Sequence, residues 1–260
     1  MKPQRLVLKI GTNVLQRPNG KLDYNQISEF TELVAEIRSQ KHELLIISSG
    51  AVGAGRELCL FDSAENPLIQ KQILASVGQA RLMQVYTDFL REHHLTIAQV
   101  LLTRADFGNR ASYLNIRNTL THLLESGIVP IINENDVVAT EELRFGDNDA
   151  LSVLIAKLIG ADRLCLLSNT EGMFTADPGL DGSAELIPDL SEVPFEELER
   201  IAGDASDGGS GGMRSKVRAV LEAASDGIDA VIADGNAPDV LVRIERGEQL
   251  ISVSYTHLRA

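Results

Sequence analysis

Six short runs dominated by Leu, Ile and Val recur along this chain, at residues 5–10, 43–48, 95–102, 128–133, 162–168 and 228–233. Each is apolar at odd and even positions alike, so as a strand it needs cover on both faces, which a parallel sheet flanked by helices supplies. Longer segments of helical period separate them. Residues 24–40 carry Ile27, Phe30, Val34 and Ile37; 149–160 carry Leu151, Leu154, Ile155, Leu158 and Ile159; 212–226 carry Val217, Val220, Leu221 and Ala224. The alternation predicts an α/β protein, a three-layer αβα sandwich on a mainly parallel central sheet, whose ligands gather beyond the carboxyl ends of the strands.

At 260 residues and 44% hydrophobic, the chain suits one large α/β domain or two small ones, with a weak composition boundary near 164–169. A net charge of −13 excludes a broad nucleic-acid-binding surface, so any phosphate site must be local. Cys59 and Cys165 lie far apart without metal-ligand spacing and read as buried thiols in a reducing compartment. The start of the chain does not read as a signal peptide, and no apolar run has membrane-spanning length. The expectation is a soluble cytoplasmic protein with no membrane partner.

The chemistry-bearing residues cluster where strands end. Lys9 closes the first strand, with Gly11 two residues on. The second strand runs into Ser48-Ser49-Gly50-Ala51-Val52-Gly53-Ala54-Gly55, whose glycines let backbone N–H groups approach a ligand at a helix start. That order reverses the dinucleotide fingerprint and argues against NAD. Ser210-Gly211-Gly212-Met213-Arg214-Ser215-Lys216 opens the last long helix and places a lysine where an anion would rest on free N–H groups, yet it lacks the glycine that precedes the lysine of a Walker A loop. The Gly-rich loop 203–212 is expected to be non-helical and mobile.

Between residues 131 and 152 the chain gathers six carboxylates and three amides, an unexpected density of anions beside phosphate-type turns. One of Asp147 and Asn148 suits a helix N-cap, and Asp149 a first turn where the dipole favours a carboxylate. Capping does not use all three, which leaves some of them for a ligand. Glu141 and Glu142 read as a solvated loop.

The segments LKIGTNVL, IISSGAVGAGRE, PIINENDVVA, FGDNDALS, EGMFTADP and SGGMRSK, in this order, resemble the amino acid kinase family. Within it they resemble the branch that phosphorylates the γ-carboxylate of L-glutamate at the first step of proline biosynthesis. The resemblance implies the amino acid kinase fold for residues 1–251 and leaves 252–260 as an atypical tail, without the small PUA domain into which many relatives continue. It implies a kinase using ATP and Mg²⁺, the metal held mainly by ATP phosphates and not by a protein site. Lys9 and Lys216 would contact the transferring phosphoryl group, and Asp149 would hold the lysines. Ser49, Gly50, Asp136 and Asn148 would bind glutamate, with Asp136 on its ammonium group and Asn148 toward its α-carboxylate or the groups beside it. Lys9, Gly11, Ser168, Asn169 and the run from Ser210 through Gly211, Gly212, Met213, Arg214 and Ser215 to Lys216 would bind ATP; Ser168-Asn169 departs from the Thr-Asp common in relatives. Feedback inhibition by L-proline and a homo-dimer or tetramer are also implied. Other branches of the family, acting on acetylglutamate, carbamate, aspartate or a uridylate, and a non-catalytic amino-acid sensor of the same fold, are the alternatives.

Overall fold

The computed structural model describes residues 3–59, 66–139, 148–203, 212–237, 240 and 252–254. In chain order these form β1 (Arg5–Ile10), α1 (Thr12–Leu15), α2 (Tyr24–Ser39), β2 (Glu43–Ser48), α3 (Ala51–Leu58), α4 (Pro67–Glu92), β3 (Ile97–Leu102), α5 (Arg104–Gly108) and α6 (Arg110–Glu125). Then follow β4 (Val129–Glu134), α7 (Asn148–Ile159), β5 (Arg163–Ser168), a 3₁₀ turn (Leu190–Glu192), α8 (Phe195–Ala202), α9 (Met213–Ser225), β6 (Asp229–Asp234) and β7 (Ser252–Ser254). The sheet order is β3-β4-β2-β1-β5-β6-β7. Its first six strands are parallel, as the two-sided apolar runs require, and β7 is antiparallel to β6.

The strand period of two sorts the core into two layers. Leu6, Leu8 and Ile10 of β1 and Leu44 and Ile46 of β2 face a layer closed by α2, α3 and α4. Val7 of β1 and Leu45 and Ile47 of β2 face the opposite layer, closed by α6, α7, α8 and α9. The three-layer sandwich is thus written in the parity of each strand, and parity also decides which helices a polar residue at a strand end will meet.

Helix starts follow local chemistry. Asp23 caps α2 by accepting from the Asn25 N–H, and Asn109 caps α6 by accepting from the Ala111 and Ser112 N–H groups. The 26-residue α4 begins with Asn66, which accepts from the Leu68 and Ile69 N–H groups, and with Pro67 in the first helical position, where its missing N–H leaves nothing unpaired.

Two stretches singled out in the sequence fall on the sheet itself. The weak boundary near 164–169 falls on β5, which is hydrogen-bonded to β1 on one side and β6 on the other and so cannot be a border between domains. Ser252–Ser254, from the stretch read as a tail, extends the sheet through β6. The expectation for loop 203–212 rests mostly on residues 204–211, which lie outside the described residues.

Candidate active site

Lys9 shares the parity of Val7 on β1, so its side chain leaves the sheet toward α7 and α9. Asp149 sits in the first turn of α7 and Lys216 in the first turn of α9. The Lys9 Nζ lies 2.5 Å from Asp149 Oδ1 and the Lys216 Nζ 3.4 Å from Oδ2. All three are buried, at 4%, 0% and 7% exposure for Lys9, Asp149 and Lys216. Burial alone would push the Asp149 carboxyl up, but the two ammonium groups outweigh it and hold it below the ordinary carboxylate range. The result is a carboxylate ionised at neutral pH under two lysines, a net local charge of +1 inside a chain of −13.

Glycines shape the backbone around this cluster in two different ways. Gly50, at the start of α3, has φ of +105°, a conformation that other residues adopt only under strain. It lines the cavity with Gly11, whose added Cβ would come within 3.2 Å of the Leu167 carbonyl oxygen. Gly53 and Gly55 do not line it, contrary to the ligand-approach expectation. They serve packing: a Cβ on Gly55 would lie 2.1 Å from the Leu74 carbonyl oxygen of α4, and one on Gly78 of α4 only 1.8 Å from the Ala51 carbonyl oxygen of α3. Backbone therefore meets backbone between α3 and α4, fixing the height of α4 against the loop at Ser49-Gly50.

From α4, side chains reach the strand ends. The Tyr86 hydroxyl meets Ser48 Oγ at 2.8 Å, and burial pushes its ionisation up, so it stays a neutral hydroxyl. Seven residues earlier on the same face, Gln79 Oε1 accepts from Asn133 Nδ2 at 3.0 Å. The ladder between β2 and β4 ends at Ile47 and Ile132, and Asn148 spans the gap beyond it. Its Nδ2 donates to Asn133 Oδ1 at 3.0 Å and Ser49 Oγ at 3.1 Å, with the Ser48 carbonyl farther off at 3.4 Å. Asp136 pairs with Lys71 of α4 at 3.3 Å, on side chains 13% and 42% exposed. Sequence reading missed Lys71, Gln79 and Asn133, which carry no turn or spacing signature.

A cavity of about 740 Å³ joins these groups, within the range of small-molecule sites. It is lined by Lys9, Gly11, Ser49, Gly50, Asp136, Asn148, Ser168, Asn169, Gly212, Met213 and Lys216 from the expected set, and also by Lys71, Asn133 and Glu134. Because β1 lies between β2 and β5, the amide-rich groups flank Lys9 on one side and Ser168, Asn169 and the start of α9 on the other. Three expected residues are not among the lining: Asp149, which lies behind the two lysines, Ser215, and Arg214, whose Nη2 donates to the Glu199 carbonyl on α8. Ser210, Gly211, Glu141, Glu142 and Asp147 lie outside the described residues.

Such an arrangement suits transfer of a phosphoryl group to an acceptor that is already anionic. It offers fixed cationic groups, and the carboxylate described between them, Asp149, is already engaged by both lysines. Among the described residues no cluster of three or more His, Cys, Asp or Glu side chains gathers as a metal site, and both Asp149 oxygens already face lysines. No described helix is long and apolar enough to cross a membrane.

The sequence pattern of the amino acid kinase family matches residues 4–234. Among curated proteins, the chain is 43% identical over 249 residues to a glutamate 5-kinase of Dehalococcoides mccartyi (strain CBDB1), covering 94% of this chain and 66% of that protein. It is 45% identical over 239 residues to a glutamate 5-kinase of Klebsiella pneumoniae, covering 92% and 65%. The chain thus spans just under two thirds of the length of these relatives. Among solved structures, it resembles a UMP kinase of Bacillus anthracis (TM-score 0.69, 17% identity, 98% of each chain). It also resembles a carbamate kinase of Giardia lamblia bound to AMP-PNP (TM-score 0.68, 13% identity, 98% of this chain and 99% of that one). At such identities the two structures bear on the fold alone.

Proposed function

Since this chain belongs to the amino acid kinase family, we propose that it transfers the γ-phosphoryl group of ATP to the γ-carboxylate of L-glutamate, giving ADP and L-glutamate 5-phosphate. The observation that carries this reading is the buried Lys9–Asp149–Lys216 cluster, set beside a pocket of amides and one ion pair suited to an amino acid. The reaction is the first step of proline biosynthesis, and a cytoplasmic location follows from it.

A glutamate side chain with pKa near ~4.3 is ionised at neutral pH, so its oxygen attacks without losing a proton. The bond from that oxygen to the γ-phosphorus forms as the bond from phosphorus to the bridging oxygen breaks, and the electron pair leaves on ADP. What must be overcome is repulsion between two anions. Lys9 and Lys216 do this, by neutralising phosphoryl oxygens as charge redistributes in line. Asp149 holds both ammonium groups at fixed positions. Mg²⁺ carried on the ATP phosphates would add further neutralisation; with Asp149 engaged by two lysines, the cluster is built to meet phosphate directly.

At the amino-acid end, Ser49, Gly50, Asp136 and Asn148 bind glutamate, with Asp136 accepting from its ammonium group. At the other end Gly11, Ser168, Asn169 and residues 210–216 accommodate ATP, the nucleotide phosphates approaching the start of α9. Proline as a feedback inhibitor and assembly into a homo-oligomer belong to the same reading.

The deciding experiment is ADP release with ATP and Mg²⁺ against a panel of glutamate, acetylglutamate, carbamate, aspartate and UMP, with acyl phosphate trapped as hydroxamate. Glutamate alone should support turnover, and proline should suppress it. Turnover with another acceptor instead would overturn the substrate, and glutamate binding without ADP release would make the chain a sensor.

A further inference from the structure

We propose that Gln79 is a positioning residue: it holds the Asn133 amide in the orientation set by the Glu134 backbone N–H, and through Asn133 decides which end of the Asn148 amide faces the amino-acid pocket. The two ends of a carboxamide are opposite in hydrogen-bonding sense, one accepting and one donating, and what each faces decides its orientation. The chain of amides here is anchored at a group that has no choice. The backbone N–H of Glu134 can only donate, and it lies 2.9 Å from Asn133 Oδ1. Asn133 must therefore turn its Nδ2 away from that N–H, and it does so toward Gln79 Oε1 at 3.0 Å. The same Oδ1 accepts from Asn148 Nδ2 at 3.0 Å, and the second hydrogen of that Nδ2 serves Ser49 Oγ at 3.1 Å.

Both hydrogens of Asn148 are thereby committed to protein, and the end left for a ligand is its carbonyl oxygen, for which no described residue is a donor. A carbonyl accepts from an ammonium group and has nothing to offer a carboxylate. Asn148 thus joins Asp136 on the ammonium side of an amino acid, which narrows the sequence-based expectation of the α-carboxylate or the groups beside it. That assignment to the ammonium rests on the glutamate reading proposed above, whereas the orientation of the amides does not.

A feature of Gln79 itself points the same way. Gln79 is 8% exposed and its Nε2 has no hydrogen-bond partner among the described residues. Turning the amide over would only set that Nε2 against Asn133 Nδ2, donor against donor. The buried donor left over on Gln79 is the consequence of orienting Asn133, and the backbone contact of Gly78 with Ala51 leaves α4 no freedom to shift and relieve it.

The test has two arms. In the first, side-chain amide hydrogen exchange is followed by ¹⁵N NMR on selectively labelled protein, without any ligand. Asn133 and Asn148 should exchange slowly in the wild type. In near-isosteric Gln79→Met, which keeps the volume and removes the acceptor, both should exchange faster, and Gln79→Glu, which keeps an acceptor oxygen, should restore protection. Exchange as fast as that of an exposed Asn in the wild type would overturn the proposal even if the Met variant did not fold. So would unchanged protection in a folded Gln79→Met. The second arm reads kinetics. Losing one oriented hydrogen bond should raise the glutamate KM of Gln79→Met about five- to tenfold, with kcat and ATP KM within about twofold. Preference for glutamate over glutarate, which lacks the ammonium group, should fall by a similar factor. A proportional loss of kcat with unchanged KM would refute positioning. Absence of glutamate turnover in the wild type would instead overturn the functional reading and leave the exchange measurement to decide the role of Gln79.

Discussion

Two ion pairs at one cavity's wall use the same two functional groups to opposite ends. Lys9 and Asp149 are sealed at 4% and 0% exposure, at 2.5 Å, with a second lysine closing the other oxygen. Lys71 and Asp136 sit nearer bulk water, at 3.3 Å and with the lysine side chain 42% exposed. A sealed pair cannot exchange partners without exposing an unpaired charge to low dielectric, so it works as fixed scaffolding for charge. An open pair contributes little by itself and gives up one member at small cost, which is what a ligand-exchanging position needs. On the function proposed above, burial, more than residue type, separates the group that would organise chemistry from the group that would recognise substrate.

The sharpest way to break this contrast is to remove the shared carboxylate. Asp149→Ala leaves two buried ammonium groups facing each other and should destabilise the fold by about 3–5 kcal/mol, read as a lowered denaturation midpoint in urea. Asp149→Asn keeps the shape and should retain a cooperative melt while losing most turnover; full activity would reduce Asp149 to a helix-start carboxylate. The next largest effect is expected for Lys216→Ala, where kcat should fall by about 10²- to 10³-fold with the glutamate KM little changed. A pure KM effect would move Lys216 out of the transition state. For Asp136→Ala the pattern should invert, with the glutamate KM rising at least about tenfold and kcat nearly preserved, as loss of a charge-assisted contact to an ammonium predicts. The smallest effect belongs to Lys71→Met. If Lys71 competes with the substrate ammonium for Asp136, the glutamate KM should drop by about threefold or less; a rise would assign the lysine to the α-carboxylate.

Acid stability reports on the sealed pair as well. The Asp149 carboxyl is held below its ordinary value in the folded protein, so its contribution is complete above the unfolded pKa of ~3.9 and disappears as pH falls from there through the folded value. Asp149→Asn should lose that acid limb in a plot of unfolding midpoint against pH.

The strands were the most legible elements of the fold, because burial on both faces leaves an uninterrupted apolar run that local sequence cannot hide. Residues 5–10 and 43–48 match β1 and β2 to the residue, and the other four expected strands end within two residues of the observed ones. Helix α4 escaped notice despite its 26 residues: its buried stripe includes Ala75, Gly78 and Gln79, while Ile69 and Ile73 are exposed on another face, which blurs the helical period. The charged cluster was legible because Lys9, Asp149 and Lys216 each stand beside a strand end or helix start. Gln79 and Asn133 were not, since their meaning lies in a contact across 54 residues of sequence. The glycines show the limit of local reading most plainly: Gly50 and Gly55 look alike in GAVGAG, and only the presence of α4 against Gly55 tells a packing glycine from a turn glycine.

Enclosing Lys9 and Lys216 also hides them from whatever approaches. With Asp149 between them and little of either side chain at the surface, their field adds little to a chain of net charge −13. Within a Debye length of the surface, ~10 Å at 0.1 M salt and longer at lower salt, the anionic substrates proposed above would therefore meet a protein of their own sign. Encounter is opposed at long range and rewarded only on entry, so kcat/KM should climb as ionic strength is raised from low values. An enzyme that displays its lysines around an open basic cleft would slow down under the same change.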